Sequence, residues 1–67
     1  MNLYRFEVET EQDGVLYVVV AASDEQTAFN IAEIEVEKYF IKLPELKSVT
    51  LLEKKAIRKA AGFVIES

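Results

Sequence analysis

The sequence predicts a small α+β domain, a two-layer ββαββ arrangement with one long helix packed on one face of a small antiparallel or mixed sheet. Three observations carry that prediction. Tyr4, Phe6 and Val8 alternate with Arg5, Glu7 and Glu9; eight residues from Val15 to Ala22 are apolar without a break; and a helical start at Ser23 opens the one long stretch of helical periodicity. At 67 residues the chain makes one domain, residues 1–67.

The alternation at the amino terminus is the period-two pattern of a half-buried strand. Glu11-Gln12-Asp13-Gly14 is the turn that follows, because Asp tolerates the left-handed backbone region and Gly occupies it without steric cost. Val15 to Ala22 is the second strand, and an antiparallel hairpin results. Every position of this strand is apolar, so the pattern leaves open which parity faces the core, and a one-residue slip exchanges the faces. Such a strand needs a cover on both sides. One helix supplies one cover, and the second is expected from another copy of the chain or from a partner.

Ser23 with Gln26 has the form of a capping box, and Asp24 and Glu25 suit the positive end of a helix dipole. The helix is expected to reach Phe40 or Ile41 and must stop before Pro44, which restricts Leu43 to extended geometry. At about 100° per residue, Ala28, Phe29, Ala32, Val36, Tyr39 and Phe40 form the stripe assigned to the sheet. Thr27, Ile31, Ile34, Lys38 and Ile41 share another side. There Ile31 and Ile34 either widen the core stripe or meet a helix of another copy.

Beyond Pro44, Val49 to Leu52 reads as a strand and Phe63-Val64-Ile65 as a short last one. Residues 53–61 are ambiguous. Their Ala and Lys content suits a helix ending at Gly62, whereas Val49, Leu51 and Ile57 also fit one face of a long strand entering a turn at 59–62. The hairpin alternative gives the ββαββ order.

Charge divides the chain. Residues 1–37 hold nine acids against Arg5 alone, residues 38–67 hold seven bases against three acids, and the net charge is −4. That asymmetry suits a charged partner or the meeting of unlike halves of two copies. There is no Cys and no His, so disulfides are excluded and the side chains on which structural zinc sites depend are missing. Chains this short bury little surface and commonly recruit disulfides, metals or oligomerisation; here oligomerisation is what is left. The amino terminus lacks the apolar run of a signal peptide, and no segment approaches the roughly 20 apolar residues of a membrane span. A cytoplasmic protein without membrane attachment is the expectation.

Sites for chemistry are sparse. Lys54, Lys55, Arg58 and Lys59 form a basic cluster able to bind an anion or the phosphates of a nucleic acid. The acidic pI near 4.7 argues against nucleic acid as the partner and makes a solvated strand or turn the simpler account. Glu33 and Glu37 stand one helical turn apart, but a bare carboxylate pair without a third ligand is not a metal site. Proton transfer near neutral pH would have to rest on a carboxylate, lysine or tyrosine, and no catalytic group, cofactor or metal is expected.

The runs Tyr4-Arg5-Phe6-Glu7-Val8, Val18-Val19-Val20-Ala21, Ala28-Phe29, Glu35 through Glu45, Glu53-Lys54-Lys55, Ile57-Arg58-Lys59 and Gly62-Phe63-Val64-Ile65 carry a resemblance across nearly the whole length. In them the chain resembles a family of short uncharacterised proteins from Gram-positive, spore-forming bacteria. The resemblance implies a bacterial cytoplasmic protein and transfers no site residue. The functional expectation is therefore a non-enzymatic interaction module, a homodimer or the binder of another protein. Its interface would be Leu3, Val15, Tyr17 and Val19 on the sheet, or Ile31, Ile34 and Ile41 on the helix. A polyanion-binding adaptor using residues 54–59 is the alternative.

Overall fold

The structure, a computed structural model, describes residues 1–12, 14–40, 42, 45–58, 60–62 and 64. Strand β1 (Asn2–Thr10), strand β2 (Val15–Ala22), helix α1 (Glu25–Tyr39) and strand β3 (Leu46–Ala56) follow in that order. The strands form one antiparallel sheet with β1 in the centre, ordered β2-β1-β3.

The alternation in β1 does what its period demands. Tyr4, Phe6 and Val8 are buried in one core with α1 and Thr10 is buried at the end of the strand, while Arg5, Glu7 and Glu9 turn to the other face. Gly14, at φ +78°, closes the hairpin, and its carbonyl accepts from the Thr10 amide at 2.9 Å and from the Thr10 hydroxyl at 2.8 Å. That closure pairs Val8 with Leu16, Phe6 with Val18 and Tyr4 with Val20, which settles the parity of β2. Its even residues join the core. Val15, Tyr17, Val19 and Ala21 face away from the helix and are exposed.

Helix α1 begins one residue later than the capping box suggested. Asp24 is the cap, in extended backbone, and its carboxylate accepts from the Thr27 amide at 2.8 Å. Gln26 instead donates to Asn30 one turn on. The shift has a simple cause: a carboxylate both accepts the amide and meets the positive helix end with a full negative charge. The Thr27 amide bond, helped by the Thr27 hydroxyl, holds the Asp24 carboxyl below its usual value of 3.8. A lowered carboxyl pKa adds stability that is present above the unfolded value and fades as pH falls through the folded one. Asp24→Ala is therefore expected to lower the melting temperature at pH 7, and Asp24→Asn to lower it less. Melts of wild type and the Asn variant at descending pH should converge below about pH 3.8, the ordinary carboxyl value.

The buried stripe of α1 is Ala28, Ala32 and Val36, with Phe29 and Phe40 half-buried beside it. The Phe29 ring lies 4.7 Å from that of Phe6 at 60°, and Tyr4 and Phe6 stack at 6.3 Å. Tyr39, assigned to this stripe by its spacing, is instead 73% exposed at the last helical position, edge-on to Phe40 at 5.1 Å. The helix stops at Tyr39 with extended backbone at Phe40, and the Tyr39 ring stands at the β2 edge rather than under the helix.

Among the described residues the order is ββαβ, not ββαββ. Residues 53–56 take the long-strand alternative rather than the helix: they are the second half of β3, where Glu53, Lys54, Lys55 and Ala56 pair with Arg5, Tyr4, Leu3 and Asn2. Helix propensity amounts to only a few tenths of a kcal/mol per residue among Ala, Lys and Glu, whereas β1 offers a full row of backbone groups that must find partners. The ladder wins. Val64 lies outside the strands, and Phe63 and Ile65 lie outside the described residues. The pairing slips at Lys47 and at Leu52, each an extra residue on β3. The second bulge sets Glu53 on the outer face directly across from Arg5, and strand alternation then puts Lys54 on the helix side and Lys55 on the outer face.

Candidate functional site

The outer face of the sheet is divided in two. Across β1 and β3 it is polar, with Arg5, Glu7, Glu9, Ser48, Thr50, Glu53 and Lys55, and the chain's own carboxy-terminal segment reaches it. Arg5 Nη1 donates to the Val64 carbonyl at 3.2 Å, and Lys55 Nζ donates to the Gly62 carbonyl at 3.0 Å. Part of the second cover thus comes from within the chain. Arg5 Nε is buried there, with no hydrogen-bond partner among the described residues.

Along β2 the same face is apolar and open. Val15, Tyr17 and Val19 are 44%, 46% and 43% exposed, and Leu3 on β1 is half-buried beside Ala21. The structure thus brings Leu3, Val15, Tyr17 and Val19 to one face. The helical trio is not gathered in the same way. Ile31 is half-buried against the core, Ile34 is 48% exposed on the far side, and Ile41 lies outside the described residues.

A groove of about 370 Å³ runs between α1 and β2, lined by Leu16, Tyr17, Val18, Glu35, Val36 and Tyr39. Leu16 and Val18 point towards the helix and Tyr17 away from it, so the groove wraps around the edge of the sheet. No sequence pattern announced it. The signal was Tyr39, a ring at the carboxy-terminal end of the apolar stripe, where the helix meets the β2 edge.

The basic cluster does not converge. Lys54 lies over the Tyr4 ring, 5.9 Å from its centroid, on the helix side; Lys55 is on the outer face; Arg58 is exposed; Lys59 lies outside the described residues. Glu33 and Glu37 are exposed, and no group of three or more metal-ligating side chains occurs among the described residues. Among those residues no helix is long and apolar enough to cross a membrane.

A family model described as a protein of unknown function (DUF3906) matches residues 1–65. The chain belongs to that family. DUF3906 brings no assigned chemistry to any of the residues above, so the β2 stripe and its groove stand on their own geometry. No curated protein and no solved structure matches the chain.

Proposed function

We propose that the chain acts as a non-enzymatic interaction module that pairs with a second copy of itself through the β2 side of the sheet. One observation carries this reading: three large apolar side chains stand in a row, each more than two-fifths exposed, on a strand with no charged residue from Val15 to Ala22. Natural sheets rarely leave such a strand in water. Fully burying a Val or Leu side chain contributes about 1.5–3 kcal/mol. A few such residues per subunit suffice for a modest dimer once association entropy is met. The cytoplasm of a Gram-positive, spore-forming bacterium is the setting that the sequence resemblance implies.

The experiment is light scattering of the full chain at high micromolar concentration. The expected mass is twice the 7.6 kDa of one chain. The double variant Tyr17→Lys, Val19→Lys is expected to return one chain's mass while keeping the circular dichroism spectrum. A wild-type protein that scatters as 7.6 kDa at every concentration overturns the proposal.

A further inference from the structure

The two edges of the sheet are built differently. β3 carries two bulges and four charged residues, Lys47, Glu53, Lys54 and Lys55, which are devices that keep an edge from recruiting another strand. β2 has none of them: no charge, no proline, and an unbroken register with β1 over eight pairs.

Its free backbone groups can be assigned. Because the Thr10 amide donates to the Gly14 carbonyl, Thr10 and Gly14 form a hydrogen-bonded pair. By alternation Val8–Leu16, Phe6–Val18 and Tyr4–Val20 are also hydrogen-bonded pairs. The pairs between them, Glu9–Val15, Glu7–Tyr17, Arg5–Val19 and Leu3–Ala21, turn their amides and carbonyls outward. The bonds from the Glu11 amide to the Glu45 carbonyl and from the Ile57 amide to the Met1 carbonyl show the same parity on the other side of β1. Val15, Tyr17, Val19 and Ala21 therefore hold both the free hydrogen-bonding groups of the edge and its exposed side chains. Among the described residues, no turn, loop or cap backbone hydrogen bond reaches them.

We infer that β2 pairs edge to edge with β2 of a second copy, antiparallel, making one continuous six-stranded sheet. The inference rests on the homodimer reading and specifies its geometry. The occupant is a second copy because an uncharged, bulge-free strand is complementary to itself, whereas the charged and bulged β3 breaks the required alternation. Sheet-on-sheet stacking fits less well, since Arg5, Glu7 and the segment at Gly62 and Val64 occupy the rest of the outer face.

One register uses every free group. With Val18 on the two-fold axis, Tyr17 faces Val19 of the second copy and Val15 faces Ala21, so all four outward residues form hydrogen-bonded pairs. Tyr17 against Val is also a favourable cross-strand match. The axis stands normal to the sheet, so both helices lie on one face and the grooves at Leu16, Val18 and Tyr39 open towards each other. The assembly closes at six strands because each outer edge is a protected β3.

Amide exchange and isotope-filtered nuclear Overhauser spectra of the full chain test this. Slow exchange at the amides of Val15, Tyr17, Val19 and Ala21, lost on dilution, is expected. A half-labelled sample should show a contact between the α-protons of Leu16 and Val20 of different copies. A dimeric mass with these four amides unprotected would sink the edge pairing and leave the homodimer standing; a monomeric mass throughout would sink both. Variants give a second measure. Proline at 19 removes an amide that β1 does not use, so the monomer tolerates it. Val19→Pro is expected to weaken the dimer about a hundredfold more than Val19→Ala, and equal effects would overturn the pairing.

Discussion

Phe6→Ala is expected to abolish cooperative folding of the isolated chain at room temperature. Phe6 sits in the central strand with no exposed surface, packed between the Tyr4 and Phe29 rings. Removing a buried phenyl ring costs about 3–5 kcal/mol, because the lost transfer energy is joined by the cost of the cavity. A native domain holds roughly 0.05–0.15 kcal/mol per residue, so for a chain this short the loss is comparable with the whole stability. Urea titration followed by circular dichroism should show no folded baseline for the variant. The control is Tyr39→Ala, which removes a ring that is 73% exposed and should shift stability by no more than about 0.5 kcal/mol. Equal effects at the two positions would place the core elsewhere. If the chain dimerises, part of the Phe6→Ala loss should return at high protein concentration, since association draws the equilibrium towards the folded form.

Phe6 also shows why the first half of the fold was legible. Strict alternation around it, followed by Asp13-Gly14, admits one hairpin, and the buried residues of β1 are those that the period predicts. The helix start was legible to within one residue because Ser23 and Asp24 both cap well, and sequence spacing alone does not rank a neutral hydroxyl above a charged neighbour.

The second half was harder for a physical reason. Glu53 to Ala56 contains residues that suit a helix in isolation, and only the unpaired edge of β1, a tertiary fact, makes them a strand. Once these residues are a strand, its alternation divides what looked like a single basic cluster between two faces. The interaction surface lay between these cases. An apolar run from Val15 to Ala22 announced that surface would be left over, but not which half of it. The register set by the Thr10–Gly14 closure decided that the odd residues stay in water.

The second large effect is expected at the helix–sheet contact. Ala28 and Ala32 have no exposed surface, and with Val36 they form the line on which α1 rests. Two methyl side chains there let the helix backbone approach β2 and β1 closely, and Phe29 and Phe40 fill the wider gap to one side. Ala32→Leu has nowhere to put three more carbons. It must lift the helix or leave its rotamer minimum, at a cost of about 1–3 kcal/mol. The measurement is the urea midpoint, expected to fall with an unchanged slope if the sheet stays intact. Glu33→Leu, the same side chain one position on and exposed, should leave the midpoint within about 0.5 kcal/mol of wild type. Lifting α1 also widens the groove along β2, so Ala32→Leu should weaken self-association more than its stability loss alone explains. A variant that is destabilised yet associates like wild type would show that the helix flank takes no part in the contact and that the strand edge suffices.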